Sequence, residues 1–89
     1  MSDAKYDAMK DDPEIHCHAS VDARGLSCPM PLMEARRALM LMEPGQKLLV
    51  LATDPASMRD FEDFTEFSGH LLLDARQVDN IFRFILEKG

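Results

Sequence analysis

Apolar residues change their spacing several times after residue 18, and the order of these changes limits the fold more than any other feature. Residues 19–22 can form a short first strand. Apolar side chains then recur three to four positions apart over 29–42 and again over 58–65, which is the spacing of one helix face. The unbroken run at 48–52 is typical of a central strand with both faces largely covered.

Two further strands close the chain. Leu71, Leu73 and Ala75 alternate with their neighbours, residues 81–87 alternate in the same way, and residues 77–80 form the predicted turn. The order is therefore β-α-β-α-β-β. Right-handed crossovers place both helices on one face of the sheet. We expect a two-layer α/β sandwich with two helices packed on one face of a four-stranded mixed sheet.

Residue types typical of helix ends mark the bounds of the second helix, and composition marks the start of the ordered domain. Asp54 is a suitable N-cap, Pro55 a suitable first helical residue, and Gly69 a suitable stop. Residues 1–18 carry mixed charge without periodicity and are predicted to be a flexible tail. Residues 19–89 then form the single domain that a chain of 89 residues allows.

Charge and hydropathy exclude several classes of function. The net charge of −6 argues against direct binding of nucleic acid. No apolar run reaches the ~18 residues that span a membrane, and the N-terminus lacks the apolar core of a signal peptide. With two cysteines the chain is not a disulfide scaffold, so we expect a cytoplasmic protein with reduced thiols.

The feature with the clearest chemical meaning is the CPxP motif, Cys28-Pro29-Met30-Pro31, which joins a turn to the first helix. A residue before proline is extended, so Cys28 lies just outside the helix, which begins at Pro29 or Pro31. Unpaired N–H groups at a helix N-terminus stabilise an anion and commonly lower the pKa of a cysteine there. A persulfide anion gains from the same field.

Three arginines near the motif form a local positive cluster: Arg24, Arg36 and Arg37. No histidine is placed to complete a nucleophile–base–orienter set with Cys28. Sulfur transfer between thiols needs only a thiolate and a good leaving sulfur, both of which two docking proteins can supply. The sequence thus favours a thiol that works with partners over a self-sufficient enzyme.

The His16-Cys17-His18 segment invites two other interpretations. Adjacent side chains of an extended segment point to opposite sides, so we do not predict a metal site there. Cys17 is alternatively a resolving thiol for Cys28, which would make the chain a redox switch. A third possibility is a protein-binding module in which the thiol has no role.

Taken together, the motifs resemble the TusA/SirA family of sulfur-relay proteins. The resemblance runs from about Val21 to Lys88. It is carried by these segments: Val21-Asp22-Ala23-Arg24-Gly25-Leu26, Cys28-Pro29-Met30-Pro31, Pro44-Gly45, Thr53-Asp54-Pro55, Ser68-Gly69-His70 and Phe82-Arg83-Phe84. Ser27 and Met30 depart from the family pattern, which often has arginine and an acidic residue there.

The resemblance implies a sulfur carrier in which Cys28 takes sulfane sulfur from a cysteine desulfurase as a persulfide and hands it to an acceptor protein. Family routes include tRNA thiolation, molybdenum-cofactor biosynthesis and other sulfur metabolism. Met33, Arg36 and Asp54 match family positions that meet the desulfurase, and we add Arg24 and Arg37 from the positive cluster. No cofactor and no metal is expected.

Overall fold

The computed structural model describes residues 17–89. Two helices pack on a four-stranded mixed sheet, which confirms the predicted α/β sandwich. The elements are β1 (Ala19–Ala23), α1 (Met30–Met40), β2 (Lys47–Ala52), α2 (Ala56–Ser68), β3 (Leu71–Val78) and β4 (Ile81–Glu87). The predicted tail, residues 1–18, lies outside the described residues except for Cys17 and His18.

The strand order explains where the two helix N-termini lie. The sheet runs β1-β2-β4-β3, with β1 parallel to β2 and the other pairs antiparallel. Parallel β1 and β2 both end at the same edge of the sheet, with Ala23 opposite Ala52. Each of these strands is followed along the chain by a helix, after a loop. The loops that start α1 and α2 are therefore neighbours at that edge.

One apolar core joins the sheet to both helices. It is centred on these buried side chains: Ala35, Leu39, Leu48, Val50, Ala52, Phe61, Phe82, Phe84 and Leu86. Phe61 of α2 and Phe84 of β4 stack with ring centroids 4.5 Å apart. The helical spacing of Ala35 and Leu39 on α1 supplies the other helix face, as the sequence predicted.

β2 is a central strand of the sheet, as predicted, but only one of its faces is fully covered. Leu48, Val50 and Ala52 are buried, whereas Leu49 and Leu51 between them are only half-buried. The continuous apolar run hides this alternation because both sheet faces carry apolar residues. Leu49 and Leu51 lie on the face that carries neither helix, where they form part of a partly apolar surface.

The alternation predicted for β3 is also interrupted. A β-bulge lies between Leu72 and Asp74, so that Leu72 pairs with Leu86 and Ala75 with Phe84. Leu72 and Ala75 therefore pack on the core, although they have opposite parity in the sequence. The turn is also shorter than predicted, because β3 continues to Val78 and only two residues connect it to β4.

The ends of α2 follow the sequence signals closely. The helix begins at Ala56, one residue later than predicted, and its C-cap is Gly69 with φ of 87°. That left-handed conformation disfavours any residue with a Cβ, although open space surrounds this glycine. The helix ends at Gly69 because of the backbone conformation there, and not because a neighbouring residue leaves no room for a side chain.

We expect Gly69→Ala to lower the free energy of unfolding by about 1–2 kcal/mol, the cost of placing a Cβ in the left-handed region. Urea denaturation followed by circular dichroism measures the loss. Gly69→Asn is the matched control, because asparagine tolerates this conformation better. If the alanine variant were as stable as the native chain, or less destabilised than the asparagine variant, the left-handed conformation of residue 69 would not be the reason for glycine there.

Candidate functional site

The Cys28 thiol lies in the loop between β1 and α1 and is exposed. A cis peptide bond joins Cys28 to Pro29. Pro29 is the N-cap, and the helix proper begins at Met30 with Pro31 at its second position. The placement of Cys28 just outside the helix N-terminus is therefore as predicted, and the choice between Pro29 and Pro31 resolves to a start between them.

The Asp54 side chain connects this loop to the beginning of α2 by hydrogen bonds. Its Oδ2 accepts a hydrogen bond from the backbone N–H of Cys28 at 2.6 Å, and its Oδ1 accepts one from Ala56 N at 3.0 Å. Nearby, the Thr53 hydroxyl accepts a hydrogen bond from Gly25 N at 2.9 Å. The backbone bonds from Cys28 and Ala56 lower the pKa of Asp54. Asp54 thus fixes the position of Cys28 and also binds a backbone N–H at the start of α2.

The lowered pKa of Asp54 in the folded state means that its ionised carboxylate stabilises the fold. This contribution is complete at pH values above the unfolded-state pKa of about 4. It is lost as the pH falls through the lower, folded-state pKa. We therefore expect Asp54→Asn to lower the urea midpoint at about pH 6 but to have a smaller effect at about pH 3. Asp63→Asn, on the exposed side of α2, serves as the control. Equal losses at both pH values would contradict this role.

The Cys28 thiol donates a hydrogen bond to the carboxylate of Asp60, with Sγ and Oδ2 2.7 Å apart. This contact raises the pKa of Cys28, with further contributions from burial and from the charges of Asp60 and Asp54. The expectation of a lowered pKa at the helix N-terminus is therefore wrong. A carboxylate in direct contact with the thiol favours the protonated form, because it accepts the thiol proton and repels the thiolate.

Asp60 was not among the predicted site residues. In the sequence it belongs to the polar face of the second helix, and no local pattern connects it with a cysteine so far away. The topology offered one usable signal. Two helices that follow adjacent parallel strands begin at the same sheet edge, so polar residues in the first turns of α2 lie near Cys28.

Two of the three arginines of the predicted positive cluster are paired with acidic neighbours. Arg24 is held by Asp22, with its NH2 2.7 Å from Oδ2, and Arg37 lies 3.9 Å from Glu34. Arg36 is exposed and lines a surface groove together with Asp60. Of the three, only Arg36 makes no ion pair with a residue among 17–89.

Exposed apolar side chains lie on the elements around Cys28. Leu26, Met30 and Met33 are 39%, 40% and 47% exposed, and Phe67 on α2 is 85% exposed. Phe67 lines the same open groove, of about 410 Å³, as Arg36. Exposed apolar residues gathered near a reactive group are typical of a surface that docks proteins.

The two cysteines lie at opposite ends of β1. His18 N donates a hydrogen bond to Lys47 O at the start of β2, whereas Cys28 bonds to Asp54 beyond its end. A five-residue strand spans about 16 Å, and a disulfide requires Cα atoms within about 7 Å. No disulfide joins Cys17 to Cys28. The fold therefore opposes an internal redox pair.

Residues 17–89 contain neither a cluster of metal ligands nor a membrane-spanning helix. No set of three or more His, Cys, Asp or Glu side chains in that range is arranged to hold a metal ion. His16, part of the segment for which a metal was considered, lies outside the described residues. No helix in the same range is long and apolar enough to cross a bilayer.

Comparisons with known proteins place the chain among related sequences. The family model described as Sulfurtransferase TusA matches residues 19–88. The chain is 43% identical over 68 residues to a protein of Neisseria meningitidis serogroup A provisionally named a sulfur carrier, a match that covers 76% of this chain and 92% of that protein. It is 40% identical over 69 residues to the Sulfur carrier protein TusA of Allochromatium vinosum, covering 78% and 91% of the two chains.

A solved structure shares the fold. The SirA-like protein from Desulfitobacterium hafniense superposes with a TM-score of 0.71 at 25% sequence identity. The match covers 80% of this chain and 97% of that one. The sheet and both helices therefore have a counterpart in an experimentally determined protein.

Proposed function

The chain belongs to the TusA family of sulfur carriers, and from that premise we propose that Cys28 accepts sulfane sulfur from a cysteine desulfurase and passes it to an acceptor protein. The observation that carries the proposal is the exposed Cys28 thiol at the sheet edge where both helices begin. A carrier must present its sulfur to two successive proteins, and a thiol on an open edge is accessible to both.

The transfer is an exchange at sulfur. The thiolate of Cys28 attacks the terminal sulfur of a persulfide on the donor enzyme, so that a new S–S bond forms as the donor S–S bond breaks. The donor cysteine leaves as a thiolate and takes up the proton that Cys28 has lost. Atoms and electrons balance without an external oxidant or a cofactor, and Cys28 then holds a persulfide.

The surroundings of Cys28 support docking by a partner protein. Met33 is 47% exposed, and a flexible thioether adapts to different partner surfaces. Arg36 has its charge available in the adjacent groove. We assign partner contact chiefly to these two residues. Arg24 and Arg37 remain secondary candidates, because each already pairs with an acidic neighbour.

Turnover depends on partners because the described part of the chain supplies no histidine base at the thiol. His18 lies at the opposite end of β1 and accepts a hydrogen bond from Lys47 N. His70 lies at the start of β3, where its Nδ1 accepts one from Gly89 N. We place the carrier in the reducing cytoplasm, where thiols stay reduced.

Incubation with a cysteine desulfurase and cysteine tests the proposal. Mass spectrometry of the intact protein is expected to show the addition of one sulfur atom, which a reductant removes. Peptide mapping is expected to locate it on Cys28. A protein that gains no sulfur, or gains it only on Cys17, would contradict the proposed function.

A further inference from the structure

We propose that Asp60 keeps Cys28 in its neutral thiol form in the unbound carrier, and that a docking protein activates the thiol by pairing a lysine or arginine side chain with Asp60. The proposal rests on the carrier function proposed above. It gives a chemical description of the partner surface: a cation must lie opposite the first turns of α2.

The side chains of Cys28 and Asp60 are in direct contact. Asp60 Oδ2 lies 2.7 Å from the Cys28 sulfur and accepts the thiol proton in a hydrogen bond. A carboxylate in that position favours the protonated sulfur twice, because it accepts the proton and repels the thiolate. The thiolate is the nucleophile in sulfur exchange, so this contact lowers the reactivity of the unbound carrier.

Asp60 is the carboxylate near the thiol that remains available to a cation. Asp54 already uses both oxygens for the backbone N–H groups of Cys28 and Ala56. Asp63 pairs with Arg59 at 3.5 Å. Asp60, by contrast, is half-buried and makes no ion pair with any residue in 17–89.

The charges of this chain do not neutralise Asp60 by themselves. Asp54 adds a second negative charge near the thiol, and Arg24 is held by Asp22. Arg36 lines the groove that Asp60 enters but does not pair with it. A cation from a docked protein would remove the repulsion of the thiolate at the moment when the donor persulfide is close.

Asp60→Asn tests the first half of the proposal, with Asp63→Asn as the matched control on the same helix. Alkylation of Cys28 by iodoacetamide is followed by mass spectrometry over a range of pH, without any partner protein. We expect the Asp60→Asn profile to move to lower pH. For each unit by which the pKa of Cys28 falls, the thiolate population at neutral pH rises about tenfold. Because the intrinsic nucleophilicity of a thiolate falls with its pKa, we expect alkylation to be only about threefold faster. An unmoved profile, or one moved to higher pH, would overturn the proposal.

Binding to the cysteine desulfurase tests the second half. We expect Asp60→Asn to weaken binding by about fivefold, the value of one partly exposed ion pair, and to reduce its dependence on salt. Glu62→Gln, an exposed position of the same helix outside this groove, is expected to bind as the native carrier does. Equal affinities of all three proteins for the desulfurase would overturn the proposal that a partner lysine or arginine pairs with Asp60. Failure of the native carrier to gain sulfur would instead overturn the carrier function, because alkylation is measured without a donor.

Discussion

Cys28→Ser is expected to abolish sulfur loading, whereas Cys17→Ser is expected to load at close to the native rate. A serine hydroxyl cannot form a persulfide, and the chain has no other cysteine than Cys17. Cys17 cannot substitute, because it lies at the opposite end of β1, away from the edge where both helices begin. Incubation of each variant with desulfurase and cysteine, followed by intact mass spectrometry, measures the sulfur gained.

The two variants differ from the native chain by one atom each, so folding does not complicate the comparison. Cys28 is exposed, and substitutions at exposed positions usually change stability by less than about 0.5 kcal/mol. Circular dichroism is expected to show the same fold for both. Loading that survives in Cys28→Ser, or that disappears in Cys17→Ser, would contradict the assignment of the transferred sulfur to Cys28.

The architecture was predictable because each element carries its own local signal. Helical spacing on α1 and α2, the proline and glycine boundaries, and the alternation on β4 each predict one element, and the right-handed crossover rule then orders them. The position of Cys28 followed from the prolines after it, since a residue before proline stays out of the helix. These inferences need only neighbouring residues.

Features that depend on contacts between distant segments were not predictable in the same way. The bulge between Leu72 and Asp74 shifts the face of β3 by one residue, and no residue type in that strand announces it. The open face of the sheet carries Leu49 and Leu51, whose apolar character made β2 resemble a strand buried on both sides. Local pattern cannot distinguish a covered face from an apolar exposed one.

The state of the thiol is the most consequential case. The helix N-terminus alone predicts a lowered pKa for Cys28, yet the contact with Asp60, which lies 32 positions further along the chain, raises it. In the proposed mechanism the thiol is less reactive in the unbound carrier than in a complex, which would protect an exposed thiol from unwanted reactions. Local sequence located the sulfur, and tertiary packing sets its reactivity.

Phe61→Ala is expected to destabilise the domain more than a substitution at its surface does. Phe61 is fully buried, and its ring lies 4.5 Å from that of Phe84 between α2 and the sheet. Removal of a buried phenylalanine side chain costs about 3–5 kcal/mol. The domain of residues 19–89 has a total stability of only about 4–11 kcal/mol, so the substitution lowers the folded fraction substantially.

Phe67→Ala is the matched control, since Phe67 lies on the same helix but is 85% exposed. We expect it to keep native stability, within about 0.5 kcal/mol, while Phe61→Ala unfolds at a much lower urea concentration. The position of Phe61 also matters for the thiol, because Phe61 anchors the turn of α2 that carries Asp60. If both alanine variants unfolded at the same urea concentration as the native protein, α2 would not be held by the core, and nothing would fix Asp60 against Cys28.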